Sequence, residues 1–287
     1  MPWHALQNCS FLGVAIMASA KDIIVKPIKA AAANELVKRI HYSGKVVPNS
    51  QLHFGVFLND QLLGAMQFGP SMDKRKTQAF VRDTPWNGFL ELNRMAFHDL
   101  LPRNSESRAI SIAMRLIRKH YPHIQWVVSY ADGSQCGDGT IYRASGFHLT
   151  GIKPNTSMLR FPDGEVYATL PITNGGSSKE GCALRRRLCK KWNIPYYSGA
   201  TIAPFKAVGA KFVPGFQLRY IYLLDQSAKQ RLTIPILPFS KIEEVGAKMY
   251  KGASMTTRGK QATDATSVSA AEHHRPPRST STQQQEA

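Results

Sequence analysis

Several side chains in this 287-residue sequence have the types and spacing needed to move a proton during a group transfer. Asp132 follows Trp126 to Tyr130, a run with the make-up of a short buried strand, and opens a polar loop that continues to Gly139. Ligands bind where strands of open α/β sheets end at their carboxyl side. A carboxylate placed there is a candidate general base. The competing reading is a plain turn made by Asp132 and Gly133. Tyr142 stands in Tyr142-Arg143-Ala144-Ser145-Gly146-Phe147 and could protonate a leaving group, position a donor, or simply fill the core. His41 and Tyr42 form a second pair, at a helix end, with a structural alternative. Arg94 lies in a strand otherwise apolar at Leu90, Leu92 and Met95. A guanidinium is costly to bury without an anionic partner. A phosphate or a carbonyl oxygen of a bound donor would serve, and so would the nearby Glu91.

Two further segments read as anion-binding. Arg103-Asn104-Ser105-Glu106-Ser107-Arg108 opens a helix. The free N–H groups of a helix N-terminus, with Arg103, Arg108, Ser105 and Ser107, can hold phosphate. Lys and Arg number 37 against 19 Asp and Glu, a net charge of +18 that suggests a polyanionic partner. Residues 179 to 219 hold nine Lys or Arg and one acid, Glu180. Arg185, Arg186, Arg187, Lys190 and Lys191 are expected to contact the phosphates of a nucleic acid with little sequence preference. Trp192, Tyr196 and Tyr197, beside Lys190 and Lys191, are expected to stack on a base, whereas Phe212 and Phe216 belong in the core.

The elements that position these residues follow from periodicity. A strand over Asp22 to Pro27 precedes a helix over Ala31 to Ile40, with Ala33, Leu36, Val37 and Ile40 on one face and Gly44 as its stop. Strands over Leu52 to Leu58 and Leu62 to Phe68 join as a hairpin through Asn59-Asp60-Gln61. A basic loop covers Ser71 to Asp83, and Phe89 to Phe97 is a strand. Asn104 and Ser105 are N-cap candidates for a helix carrying Ala109, Ile112, Ala113, Leu116 and Ile117. The strand Trp126 to Tyr130, a short helix Thr140 to Ser145, a strand Phe147 to Ile152 and a final strand Gln217 to Leu224 complete a mixed α/β sheet flanked by helices.

In this order of elements, the Tyr142 to Phe147 segment resembles the closing motif of the acetyltransferase (GNAT) superfamily. The Gly-rich turn by which that superfamily holds coenzyme A is replaced here by the serine-rich helix start. A narrower resemblance rests on His41-Tyr42-Ser43-Gly44, Glu91-Leu92-Asn93-Arg94-Met95, the serine-rich start, Tyr130-Ala131-Asp132-Gly133 and Tyr142 together. That set is similar to the Mom DNA-modification family, over roughly residues 22 to 225. The resemblance implies transfer of a carbamoylmethyl group to N6 of adenine in double-stranded DNA, protecting phage DNA from restriction. It implies functional roles for His41, Tyr42, Arg94, Ser107, Asp132 and Tyr142, and iron held at Tyr42 and Asp132. The donor stays open between acetyl-CoA and glycyl-tRNA, whose glycyl group has the atoms of a carbamoylmethyl group. A conventional N-acetyltransferase and a non-catalytic DNA-binding protein on the same fold are the alternatives.

The remaining composition sets bounds. Cysteines 9, 136, 182 and 189 form no CxxC pair, which suits a reducing cytoplasm. No apolar run approaches the ~20 residues of a membrane span. Residues 1 to 10 lack the positive start of a secretory signal, and Met17 is a second candidate start, so residues 1–20 read as a dispensable extension. Residues 21–175 read as the catalytic core and 176–250 as a basic, aromatic part that completes the domain. The Ser, Thr and Gln-rich residues 251–287 read as a disordered tail.

Overall fold

The computed structural model describes residues 18–133, 137–174 and 179–247. The expected tail, most of the N-terminal extension and part of the loop after Asp132 lie outside them. The elements run β1 (Ile24–Pro27), α1 (Ala30–Ile40), β2 (Leu52–Leu58), β3 (Gln61–Gly69), α2 (Lys74–Gln78), β4 (Phe89–Phe97), α3 (Ser105–His120), β5 (Trp126–Asp132), α4 (Thr140–Ala144) and β6 (His148–Pro154). After these come β7 (Met158–Arg160), β8 (Val166–Ala168), α5 (Thr169–Thr173), α6 (Lys179–Lys191), α7 (Ala203–Ala207), β9 (Lys211–Phe212), β10 (Phe216–Leu223) and α8 (Lys241–Glu244). Among the described residues no helix is long and apolar enough to cross a membrane.

Seven described strands make one sheet in the order β1-β2-β3-β4-β5-β10-β6. The mixed α/β sheet flanked by helices is therefore present as the periodicity predicts. Asn59 and Asp60 both take positive φ, 49° and 59°, which gives the β2-β3 hairpin a turn whose twist matches its strands. β10 comes from the basic C-terminal part yet pairs with β5 on one side and β6 on the other. That part is thus woven into the main sheet.

Alternation along the strands divides the apolar side chains between two faces. α3 buries Ala109, Ile110, Ala113, Met114 and Ile117 against Leu90, Leu92, Val127 and Ala131 on one face. α1 covers the other face with Ala33 and Leu36 against Ala65. Phe89, Trp126, Val128, Ile221 and Leu223 cluster on the face turned away from α3. A further cluster of Leu159, Phe161, Ile172, Leu188 and Phe205 joins the small sheet β8-β7-β9 to α5, α6 and α7.

One sequence expectation is corrected. Asp132 is the last residue of β5 rather than a loop residue, because β10 pairs alongside it and Gln217 stands opposite. Asn104 supplies a left-handed backbone, φ 70°, and no side-chain cap bond; asparagine tolerates that conformation well. Ser19 belongs to the folded part: its side chain and that of Asp22 form a reciprocal capping box.

Candidate active site

β4 and β5 run parallel but pair only from Phe89 opposite Trp126 to Glu91 opposite Val128. β4 continues to Phe97 and β5 to Asp132, so the two strands part and leave a cleft between their carboxyl ends. Asp132 sits at that opening. The Ser157 hydroxyl is 3.5 Å from its Oδ2, and the next N–H, from Gly133, donates to the Phe216 carbonyl at 2.7 Å. A Cβ on Gly133 would come within 2.8 Å of that same carbonyl, so only glycine lets β10 approach the end of β5 this closely.

Alternation puts Tyr130 on the face of Asp132, and Glu91 on the matching face of β4. Burial pushes the Glu91 carboxyl up, against the pull of Ser71, Asn93 and Arg94. The buried Ser71 hydroxyl lies near that carboxyl without closing a hydrogen bond of good geometry. Burial also pushes the Tyr130 phenol up, and the Glu91 charge adds to the shift. Composition gives no sign that Glu91 and Tyr130 share a face with Asp132, but counting back by twos along β5 reaches Tyr130. Nothing local in the sequence marks Ser71 or Ser157.

Arg94 reaches from β4 to the segment after α1. Its Nε donates to the Lys45 carbonyl at 3.0 Å and its Nη1 to the Asn93 carbonyl at 2.7 Å. Backbone carbonyls therefore take two of the donors that the sequence assigned to a phosphate or to Glu91. Beside it, His41 is the residue that ends α1, and Gly44 turns the chain with φ +57°. Nδ1 of His41 accepts the Ser43 N–H at 3.1 Å and lies 2.8 Å from the Ser43 hydroxyl. Because an N–H can only donate, the proton of the neutral ring sits on Nε2. His41 is then a hydrogen-bond donor toward a ligand, and a poor base. Burial first, then the Arg94 charge, lowers its pKa to about 4. Tyr42 packs ring to ring with His41 at 4.3 Å yet stays 60% exposed.

The His41 shift has a measurable consequence. The unfolded ring titrates near its ordinary value of 6.5, so between there and about 4 the unfolded chain binds the extra proton. Stability contributed by the neutral ring is complete above pH 6.5 and is lost as pH falls toward 4. With solvent screening at a half-exposed site, the loss is on the order of 1–2 kcal/mol. Thermal melting at pH 7.5 and pH 5 should show a smaller acid destabilisation in His41→Gln than in the native chain. An equal acid loss in both would contradict the shift.

The serine-rich start of α3 holds unmet polar capacity. Ser105 is fully buried with no hydrogen-bond partner for its hydroxyl, and Arg108 Nε is likewise buried and unpartnered. Arg108 Nη2 reaches the Lys21 carbonyl at 3.5 Å, the Ser107 hydroxyl bonds the Asn104 carbonyl, and Arg103 is exposed. Tyr142 is buried, with its ring 5.3 Å from Tyr220 and 5.4 Å from Phe147, so most of it is core. Among the described residues no three His, Cys, Asp or Glu are grouped to hold a metal ion. The expectation of iron at Tyr42 and Asp132 finds no such donor set there.

In the basic segment the structure separates residues the sequence grouped together. Arg185 is fully buried and is not a phosphate contact. Its guanidinium donates to the carbonyls of Ile172 (2.7 Å), Tyr197 (3.0 Å) and Thr173 (2.6 Å). Trp192 stacks on Phe161 at 5.6 Å and Tyr197 packs on Phe205 at 6.0 Å, so both are committed to the core rather than to a base. Lys191 is bound by Asp163 and Glu165 at 2.5 and 2.8 Å. Arg186, Arg187, Lys190 and Tyr196 stay exposed, with Arg186 over the Tyr196 ring at 5.4 Å. If they meet a polyanion, Arg186→Ala with Arg187→Ala should flatten the salt dependence of DNA binding by up to ~2 slope units. An unchanged slope would place DNA elsewhere.

Comparison with known proteins completes the picture. Residues 22–241 match the sequence model of the Mom protein family. The methylcarbamoylase Mom of Escherichia phage Mu is 37% identical over 217 residues, 74% of this chain and 80% of that protein. Among solved structures, the ribosomal-protein-S18-alanine N-acetyltransferase of Escherichia coli aligns with TM-score 0.38 at 10% identity, covering 71% of this chain and 95% of that one. An IAA acetyltransferase of Bacillus cereus aligns with TM-score 0.39 at 9% identity, over 70% and 99% of the two chains.

Proposed function

The chain belongs to the Mom protein family, and from that membership we propose that it is a DNA-modifying transferase that places a carbamoylmethyl group on N6 of adenine, protecting phage DNA from restriction. The match over residues 22–241, which span the β4-β5 cleft and the basic segment, carries this reading. Asp132 takes a proton from N6 as the new bond to nitrogen forms. That step matters because the N6 lone pair is delocalised into the ring and the amine is a poor nucleophile. His41, neutral with its proton on Nε2, donates a hydrogen bond to substrate or donor, and Tyr42 offers an exposed ring beside it. Tyr142 lines the interior behind the cleft and positions the donor. In the host cytoplasm the exposed cations meet double-stranded DNA.

The donor is acetyl-CoA or glycyl-tRNA. Transfer from glycyl-tRNA would free the tRNA 3′-hydroxyl and bring the atoms of a carbamoylmethyl group, rearranged from glycyl, whereas transfer from acetyl-CoA would free the thiol and leave an N6-acetyl group, which lacks the nitrogen. Both carry phosphates, and the orphaned Ser105 hydroxyl and Arg108 Nε, with exposed Arg103, fit a phosphate-bearing molecule at the start of α3. Purified protein incubated with adenine-containing DNA and carbon-13 labelled acetyl-CoA or glycyl-tRNA tests this. The label should appear in an N6-substituted deoxyadenosine with one of the two donors. Label recovered only in protein or small amines would instead identify a conventional N-acetyltransferase.

A further inference from the structure

The segment from Ser71 to Thr77 lies across the face of β4 and β5 that carries Glu91 and Tyr130. Ser71 is buried beside the Glu91 carboxyl on β4. Six residues on, buried Thr77 sets its hydroxyl against the Tyr130 phenol on β5. The segment thus runs from one of the strands that part to the other, with both of its end residues buried. Between those ends stands Met72, 82% exposed. An unbranched apolar side chain held out on such a turn has no role in the core. Asp73 comes next, caps α2 and pairs with Lys76 at 3.9 Å, and beyond it Arg75, Lys76 and, past the helix, Arg82 are exposed. Lys74 is fixed by Asn87 at 2.9 Å and by the Trp86 ring at 4.5 Å, which ties α2 to the loop before β4.

We propose that Met72 is a wedge that enters the base stack of duplex DNA while the cations of α2 hold the flanking phosphates, so that the target adenine is displaced into the β4-β5 cleft. This rests on the reading that the protein modifies adenine in duplex DNA. N6 is paired inside the duplex, so an enzyme acting on it must extrude the base. Proteins that unstack DNA insert apolar side chains, methionine among them, beside basic residues that grip the backbone. The charge of α2 suits that partner, and the ties of Lys74 to Asn87 and of Gln78 to the Thr84 carbonyl hold the wedge's segment to the loop before β4, one of the two strands that part.

Met72→Ala in the full-length chain tests the proposal, because an exposed side chain can be shortened without disturbing the fold. Binding to a duplex with 2-aminopurine replacing adenine should raise fluorescence with the native chain. The raised signal should be absent with Met72→Ala, although anisotropy still shows binding. Modification of duplex DNA should fall at least ~tenfold in the variant, while modification of single-stranded DNA, which needs no extrusion, stays level. Met72→Leu should restore both signals. A native-like fluorescence rise in Met72→Ala, or equal losses on duplex and single strand, would overturn the wedge. If the native chain modifies neither form of DNA, the transferase reading fails, and the fluorescence comparison still decides whether Met72 unstacks the duplex.

Discussion

Asp132→Asn should all but abolish modification while leaving the protein folded and bound to DNA. The amide keeps the size of the carboxylate and can still accept from the Ser157 hydroxyl, 3.5 Å away. It cannot take up the proton that N6 must lose. Loss of a positioned base lowers rate by ~10²–10⁴. The backbone of Asp132 stays paired with β10 whatever side chain it carries, so stability should change by no more than about 0.5 kcal/mol. Affinity for DNA should hold, since a carboxylate attracts no phosphate. Single-turnover modification, thermal melting and DNA binding on one purified variant separate the outcomes. Activity that falls only as far as folding falls would make Asp132 structural. Native activity would remove it from the chemistry altogether.

Arg185→Met should show the reverse pattern, a large loss of stability from a residue that never meets substrate. The guanidinium is fully buried and satisfies three carbonyls, two at the end of α5 and one at Tyr197, while lying over the Tyr197 ring at 4.9 Å. Methionine fills much of the volume but donates nothing, so three acceptors lose their partner. Each buried acceptor left unmet costs about 1–3 kcal/mol. Relief from burying a charge offsets part of the sum. The expected net loss is about 2–4 kcal/mol, read as a lower urea midpoint at unchanged slope. Arg185→Lys should fall between, because one ammonium cannot span carbonyls that a planar fork reaches together. A methionine variant as stable as the native chain would show that water reaches these carbonyls.

Arg185 also shows where reading the sequence succeeds and where it fails. The main strands and the helices α1 and α3 are legible because their apolar residues repeat at two and 3.6 positions and their turns carry Gly, Asn or Asp. Phe89–Phe97 is found at both ends. α6 is not recognisable as a packed helix. One of its inward positions is an arginine, and a run of three arginines looks the same whether one faces in or all face out. The small sheet β8-β7-β9 is missed because its strands span two or three residues, too few for periodicity to register. In the site, Asp132, His41 and Arg94 are legible by type and position. That Glu91 and Tyr130 share the face of Asp132 becomes visible only once the pairing of β4 with β5 fixes which side chains point the same way. The neutral state of His41 depends first on burial and then on Arg94, both set by residues distant in the chain, so no local pattern contains it.

Modification of adenine by this chain would leave its mark in the nucleosides of the DNA it meets. DNA from cells expressing the full-length protein, digested and analysed by mass spectrometry, should contain a deoxyadenosine in which a carbamoylmethyl group replaces one N6 hydrogen. The same nucleoside should be missing from cells expressing Asp132→Asn at equal protein level. Only unmodified nucleosides, with folded native protein present in the cells, would contradict the account.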